Sequence, residues 1–163
     1  MSISKDLFLA ILSLDSYNRG YGAGIDDGIG IDDGLGTSTS SKVGAATFKS
    51  DKGDADAQAA DFYAISYTVK GGSVTGIDHD TTVISYRGTD HPASEYFGTD
   101  RPIHTGDYDE LELSLASQFR KSVGASLATG THITLTGHSL GGGLAGFTCR
   151  AANDNWIAER RAA

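Results

Sequence analysis

The sequence predicts one α/β domain with a mainly parallel sheet and crossover helices. In the second half of the chain the predicted order is strand, helix, strand, helix, which is typical of parallel strands joined by helices. The predicted strand at residues 81–87, TTVISYR, is almost continuously apolar in its middle, as strands covered on both faces are. A chain of 163 residues, 39% of them hydrophobic, is long enough to bury a core as a single domain over residues 1–163.

The first predicted element is a helix over residues 5–17, KDLFLAILSLDSY. Leu7, Ile11 and Leu14 recur at helical spacing, and Ser4 can cap the first turn. The apolar run is short, is flanked by acidic residues and is followed by no small-residue cleavage site. We therefore interpret it as a buried or half-buried helix and recognise no N-terminal signal peptide, and the sequence leaves the compartment open.

A segment rich in Gly, Asp, Ser and Thr follows at residues 20–44 and is predicted to be a loop. Within it GIDDGI is followed at once by GIDDGL, and two copies are too few to form a solenoid. The acidic pairs at 26–27 and 32–33 carry the carboxylates that calcium prefers. Their spacing matches neither the EF-hand loop nor the glycine-rich nonapeptide repeat, so we expect no metal and no cofactor.

The remaining elements are predicted from their periodicity. Aromatic and β-branched residues predict a strand at 62–69, and GGSVTG turns the chain before the strand at 81–87. An apolar residue at every fourth position predicts a helix at 109–128. Its stripe consists of Leu111, Leu115, Phe119, Val123 and Leu127. HITLT at 132–136 predicts a third strand, and a further helix begins near Leu140.

Composition argues against two classes of partner. The net charge of −8 disfavours a nucleic-acid binder, which needs a basic face to neutralise phosphates. No apolar run approaches the roughly eighteen residues that a transmembrane helix requires. We therefore expect no nucleic-acid partner and no transmembrane segment.

GHSLG, at residues 137–141, places Ser139 between a predicted strand and a predicted helix. This is the G-x-S-x-G pattern of a nucleophile elbow, a sharp turn that exposes the serine Oγ. The helix N-terminus behind the serine offers backbone N–H groups to a developing oxyanion, and the N–H of Leu140 is the expected donor. The alternative is a glycine-rich turn with an idle serine, because the chain contains 22 glycines.

The end of an earlier strand supplies a second candidate for the same site. The strand at 81–87 runs directly into Gly88 and Thr89. In acyl-transfer enzymes with such an elbow, the second oxyanion donor comes from a loop after an earlier strand. Thr89 can offer both its backbone N–H and its hydroxyl there, whereas taken alone it would be an ordinary turn residue.

VISYRGTD followed by ITLTGHSLGGGLA resembles the class-three (fungal-type) triacylglycerol lipases and their bacterial relatives, over residues 60–148. The resemblance implies the N-terminal part of an α/β-hydrolase fold and hydrolysis of lipid-type carboxylic esters through an acyl-enzyme. It assigns Ser139 as the nucleophile, and Thr89 and Leu140 as the oxyanion hole. It also places residues 91–108 where the family has a lid, with ordinary packing of a long loop as the alternative.

The chain departs from that family pattern after the serine. The order of an α/β-hydrolase triad is Ser, acid, His, yet all five histidines precede Ser139. Asp154 is the only later aspartate, and it lies too close to the elbow to be the triad acid. We therefore interpret the chain as C-terminally truncated, with a genuine helix end as the alternative. His91 and His104, in the candidate lid, are minor alternatives for the base.

Two rival functions stand beside ester hydrolysis. GGGLAG also fits the dinucleotide fingerprint G-x-G-x-x-G through Gly141, Gly143 and Gly146, but the second strand and acidic residue of that motif do not follow. The second rival is a non-catalytic lipase-like chain that lacks its triad acid and base. A sheet that stops at the elbow strand would also expose an edge, which predicts self-association.

Overall fold

The computed structural model describes residues 3–21, 40–88 and 110–162, with side chains described up to residue 151. The helices are α1 (Lys5–Asp15), a 3-10 turn (Ser16–Asn18), α2 (Ala55–Ala59), α3 (Glu110–Ala125) and α4 (Leu140–Ala162). The strands are β1 (Lys42–Val43), β2 (Ala46–Lys52), β3 (Ala64–Val69), β4 (Thr81–Tyr86) and β5 (His132–Gly137). The acidic pairs at 26–27 and 32–33 and the candidate lid at 91–108 lie outside the described residues.

The sheet is mixed, with the strand order β1-β2-β3-β4-β5. Three pairings are antiparallel and only β4 and β5 are parallel, so the prediction of a mainly parallel sheet is wrong for the described strands. The reason is the length of the connections, because the short turn at residues 70–80 reverses the chain between β3 and β4. Only the connection from β4 to β5 contains a crossover helix, α3, as the sequence predicted.

Strands β1 and β2 were not predicted, and β1 lies inside the segment that we expected to be a loop. The sequence of β2, ATFKSDK, carries two lysines and an aspartate and has only one buried residue, Ala46. Because β2 is paired with β3 along its length, backbone hydrogen bonding rather than apolar patterning makes it a strand.

Two apolar clusters cover the two faces of the sheet. One contains Ile84 of β4 together with α3 and α4, and the other contains Ile65 of β3 together with α1. On α3 the predicted stripe is buried at its centre, at Leu115, Phe119 and Val123. The stripe fails at its ends, because Leu111 is exposed and Leu127 lies beyond the end of the helix.

Helix α1 presents a different face to the sheet from the one that its leucine spacing indicates. Ser4 caps the helix as predicted, but Leu7, Ile11 and Leu14 are exposed, at 56%, 38% and 46%. Phe8 and Leu12 are buried instead. The helix is apolar on more than one side, so its periodicity alone cannot select the buried face.

The two strands that lead to the candidate site differ in burial. All six residues of β4 are buried, whereas those of β5 are half-buried or exposed. Among the strands that the structure describes, β5 has a neighbour on one side only. The elbow strand is therefore an edge strand of the described sheet.

Within the described ranges, no helix combines the length and the apolarity needed to cross a membrane. In the same part of the chain, no group of three or more His, Cys, Asp or Glu side chains could hold a metal ion.

Candidate active site

Ser139 lies at the turn between β5, which ends at Gly137, and α4, which begins at Leu140. Its φ of +53° is in the left-handed region, which residues other than Gly, Asn and Asp rarely adopt. The residue is exposed. This strand–turn–helix geometry is the context that the G-x-S-x-G pattern requires of a nucleophile elbow.

The glycines on either side of the serine allow the turn to close against the sheet. A Cβ at Gly137 would lie 2.3 Å from the carbonyl oxygen of Gly141. A Cβ at Gly141 would lie 2.1 Å from the carbonyl oxygen of Tyr86, the last residue of β4. The close packing that we inferred for the glycine run therefore applies to Gly141, while a Cβ at Gly146 would meet nothing within 4 Å.

The end of β4 packs against the elbow at Gly88. A Cβ at this residue would lie 2.3 Å from the carbonyl oxygen of His138 and 2.7 Å from the hydroxyl of Tyr17. The structure therefore brings the strand end that precedes Thr89 into backbone contact with the turn that carries Ser139. Thr89 itself lies outside the described residues.

Leu140, the other candidate oxyanion donor, is the first residue of α4. The N–H groups of a first helical turn have no carbonyl one turn earlier in the helix to bond to, so they can bind an anion. The side chain of Leu140 is 8% exposed and packs into the protein, so the residue can contribute only its backbone at the surface of the site.

Tyr17 joins the two strand ends and was not predicted as a site residue. Its hydroxyl accepts a hydrogen bond from the N–H of Gly88 at 3.1 Å and lies 3.3 Å from Nδ1 of His138. The two rings also meet edge to face, with centroids 6.2 Å apart. Tyr17 belongs to the turn after α1, so no local sequence signal connects it to residues more than seventy positions away.

Arg87, the residue before Gly88, fixes the end of β4 to the N-terminal segment. Its guanidinium is buried between the rings of Tyr21 and Tyr63, 4.6 and 4.9 Å from their centroids, and donates to the carbonyl of Tyr21 at 2.7 Å. Burial raises the pKa of the Tyr63 phenol, and the carboxylate of Asp51, which accepts its hydrogen bond, raises it further. An arginine at the end of an apolar strand is a signal that sequence reasoning could have used, because a buried charge needs partners.

The N-terminal segment is itself anchored by a buried carboxylate. Asp15 accepts hydrogen bonds from Arg19 Nε at 2.5 Å and from the Tyr67 hydroxyl at 2.6 Å. Burial raises the pKa of Tyr67, and its hydrogen bond to the negative carboxylate raises it further. The anchor holds the turn that carries Tyr17 against the sheet.

The described histidines are not grouped around Ser139. His79 and His132 stack at the far end of β5, with centroids 4.8 Å apart and an angle of 10° between the rings. His138 contacts Tyr17 through Nδ1. His91 and His104 lie outside the described residues, and the described part of the chain therefore identifies no general base for the serine.

A family model described as Lipase (class 3) matches residues 76–158, just over half of the chain. The matched region contains β4, the crossover helix α3, β5 and the elbow. The chain belongs to the class 3 lipase family. Membership implies an α/β-hydrolase fold, lipid esters as substrates and carboxylic ester hydrolysis as the activity of the family. Searches of the curated proteins and of the solved structures gave no match.

Proposed function

We propose that this protein hydrolyses the carboxylic esters of lipids, with Ser139 as the nucleophile of an acyl-enzyme mechanism. The observation that carries the proposal is the left-handed backbone of Ser139 at a strand-to-helix turn, inside the region that matches the lipase family. A serine with an ordinary structural role would not need this conformation, which costs about 1 kcal/mol or more. The cost is accounted for if the turn serves to expose the hydroxyl.

The proposed chemistry proceeds in two steps. In the first, the Oγ of Ser139 gives its proton to a base and attacks the ester carbonyl, and the alcohol then leaves with a proton. In the second, water attacks the acyl-enzyme and releases the acid. The N–H of Leu140 and the backbone and hydroxyl of Thr89 stabilise the negative oxygen that develops in both steps. His91 and His104, in the candidate lid at 91–108, are minor candidates for the base.

The proposed partner is an uncharged lipid or small ester, reached through transient contact with a lipid interface. A net charge of −8 disfavours anionic surfaces and is compatible with a neutral substrate. Residues 91–108 include Tyr96, Phe97 and Tyr108, which would give a lid an apolar face towards acyl chains.

A non-catalytic lipase-like protein is the second candidate, because no base is identified beside the serine. His138 is engaged by Tyr17, while His79 and His132 lie at the other end of β5. In this case the elbow would be retained as a structural turn, and Ser139 would have the reactivity of an ordinary serine.

Hydrolysis of p-nitrophenyl butyrate by the purified chain tests the proposal, beside Ser139→Ala and a control variant, Ser122→Ala. Ser122 is an exposed serine on α3 and belongs to no part of the site. We expect turnover by the wild type and by Ser122→Ala, and a loss of at least about a thousandfold in Ser139→Ala.

A fluorophosphonate probe separates the two candidate functions. Labelling that is lost only in Ser139→Ala shows an activated serine, even where turnover is slow. A wild-type chain that neither labels nor hydrolyses the ester would refute the catalytic proposal and support the non-catalytic one.

A further inference from the structure

The hydroxyl of Tyr17 contacts the two strand ends that carry the candidate oxyanion hole. Gly88, whose N–H it accepts, precedes Thr89, and His138, whose Nδ1 lies 3.3 Å away, precedes Ser139. Tyr17 is 2% exposed and its contact with Gly88 is buried, while its contact with the exposed His138 is partly buried. A hydroxyl that bonds groups on two different elements constrains the distance between those groups.

The chemistry of the partners fixes the direction of the hydrogen bond from Gly88, and the tautomer of His138 sets that of the other. The N–H of Gly88 can only donate, so the phenol oxygen accepts it. The phenol proton is then available to Nδ1 of His138, which accepts it only when that nitrogen carries no proton. A phenol that donates to Nδ1 favours the imidazole tautomer of His138 that is protonated on Nε2, whereas a protonated Nδ1 would itself donate to the phenol oxygen.

The end of β4, the turn before Ser139 and the Tyr17 hydroxyl are packed tightly against one another at Gly88. The position that a Cβ at Gly88 would occupy lies within 3 Å of both the His138 carbonyl and the Tyr17 hydroxyl. The segment that carries Tyr17 is itself fixed in place, because Arg19, two residues later, forms an ion pair with the buried Asp15. The hydroxyl thus connects an anchored segment to both halves of the site.

We propose that Tyr17 is a positioning residue, whose hydroxyl sets the spacing between the end of β4 at Gly88 and the Ser139 elbow by bridging Gly88 and His138. The catalytic consequence rests on the proposed function, since it concerns the two donors of the oxyanion hole. Misplacing such donors by a fraction of an ångström is expected to slow acylation about tenfold to a hundredfold. Substrate binding away from the carbonyl should be unaffected.

The test compares Tyr17→Phe with Tyr86→Phe in the full chain. Both changes remove one buried phenol hydroxyl, but that of Tyr86 bonds the carbonyl of Ala116 on α3 and the side chain of Thr148 on α4, so its loss leaves the contacts of Tyr17 with Gly88 and His138 in place. Nitrogen NMR of the His138 ring, assigned with a His138→Gln variant, reports the tautomer. We expect the form protonated on Nε2 in the wild type and in Tyr86→Phe, and a mixture of tautomers in Tyr17→Phe.

The rate of fluorophosphonate labelling of Ser139 is the second measurement, with kcat and KM for the ester beside it. We expect Tyr17→Phe to lower the labelling rate and kcat about tenfold or more, with KM unchanged and Tyr86→Phe close to the wild type. An unchanged tautomer in Tyr17→Phe, or an equal loss of rate in both variants, would overturn the proposal. A wild type that does not label would refute the proposed function alone, and the tautomer would still decide whether the bridge exists.

Discussion

Strands β4 and β5 lie side by side in the same direction, yet one is buried along its whole length and the other is not. The strand that leads to Thr89 is fixed on both flanks by β3 and β5, while the strand that leads to Ser139 has β4 on one flank only among the described strands. The elbow is therefore positioned by its contacts with the end of β4 as well as by its own half-buried strand. Those contacts are made by Gly141, which faces the carbonyl of Tyr86, by Gly88, which faces the carbonyl of His138, and through Tyr17.

The largest effect is expected where the elbow helix touches β4. A methyl group at Gly141 would lie 2.1 Å from the Tyr86 carbonyl, so Gly141→Ala should lower the free energy of unfolding by about 3 kcal/mol or more. Gly146→Ala, on the same helix with open space around it, should raise it by about 0.5–1 kcal/mol. Urea unfolding measures both, and a stable Gly141→Ala protein would show that the elbow can move away from β4.

A matched pair of core truncations compares the two strands directly. Ile84 and Leu135 are register partners and pack on the same apolar cluster, but Ile84 is fully buried and Leu135 only partly. Ile84→Ala should cost about 3 kcal/mol and Leu135→Ala about half as much, because the cost follows the buried surface and the cavity left behind. Equal losses in urea unfolding would mean that β5 is covered in solution by something outside the described residues.

The stability of the fold at alkaline pH should depend on Tyr67 of β3, the strand that lies beside β4 on the side opposite β5. Burial raises the pKa of Tyr67 above its ordinary value of 10.0, and its bond to Asp15 raises it further. Above about pH 10 the unfolded chain loses a proton that the folded chain keeps, so the free energy of unfolding should fall by about 1.4 kcal/mol per pH unit for each such tyrosine.

Urea midpoints between about pH 8 and about pH 11 test the alkaline prediction. They should be flat in the lower part of that range and fall in the upper part. Tyr67→Phe should show a shallower fall than the wild type, since it has one fewer phenol to ionise. A wild-type stability that stays constant or rises above pH 10 contradicts the prediction.

The smallest effect concerns the side of β5 on which the described part of the chain has no neighbouring strand. None of its residues carries a formal charge with His neutral, and an edge strand without charges readily pairs with another chain. We expect weak self-association that grows with protein concentration and is reduced by Thr134→Lys. Sedimentation velocity measures it, with Thr68→Lys on the inner strand β3 as a control for added charge; a wild type that stays monomeric at high concentration contradicts the idea.

Local patterns predicted the elements around the elbow. The buried run of β4, the apolar stripe of α3 and the Gly137–Ser139–Gly141 spacing each depend on residues close in sequence, and the structure has a strand, a crossover helix and a strand-to-helix turn there. Strand β3 was predicted, whereas β2 was missed because its polar sequence becomes a strand only through pairing with β3.

Long-range contacts were beyond prediction. Which side of α1 is buried depends on the sheet beneath it, and Ser13 on that side bonds Thr136 of β5 at 2.8 Å. Tyr17 and Arg87 have their roles through partners that are dozens of positions away in the chain. A single sequence contains no periodic signal for such contacts, since periodicity reports only the neighbours within one element.

The left-handed backbone at Ser139 makes this position a point of conflict between folding and chemistry. Asp61, the other described residue with positive φ that is not glycine, has a side chain that tolerates this conformation, whereas serine does so poorly. Glycine at position 139 would give the more stable protein, and it would have no hydroxyl. A lineage that no longer used the hydroxyl would gain stability by exchanging this serine for glycine. The residue at position 139 of a relative therefore indicates whether that relative still uses the hydroxyl.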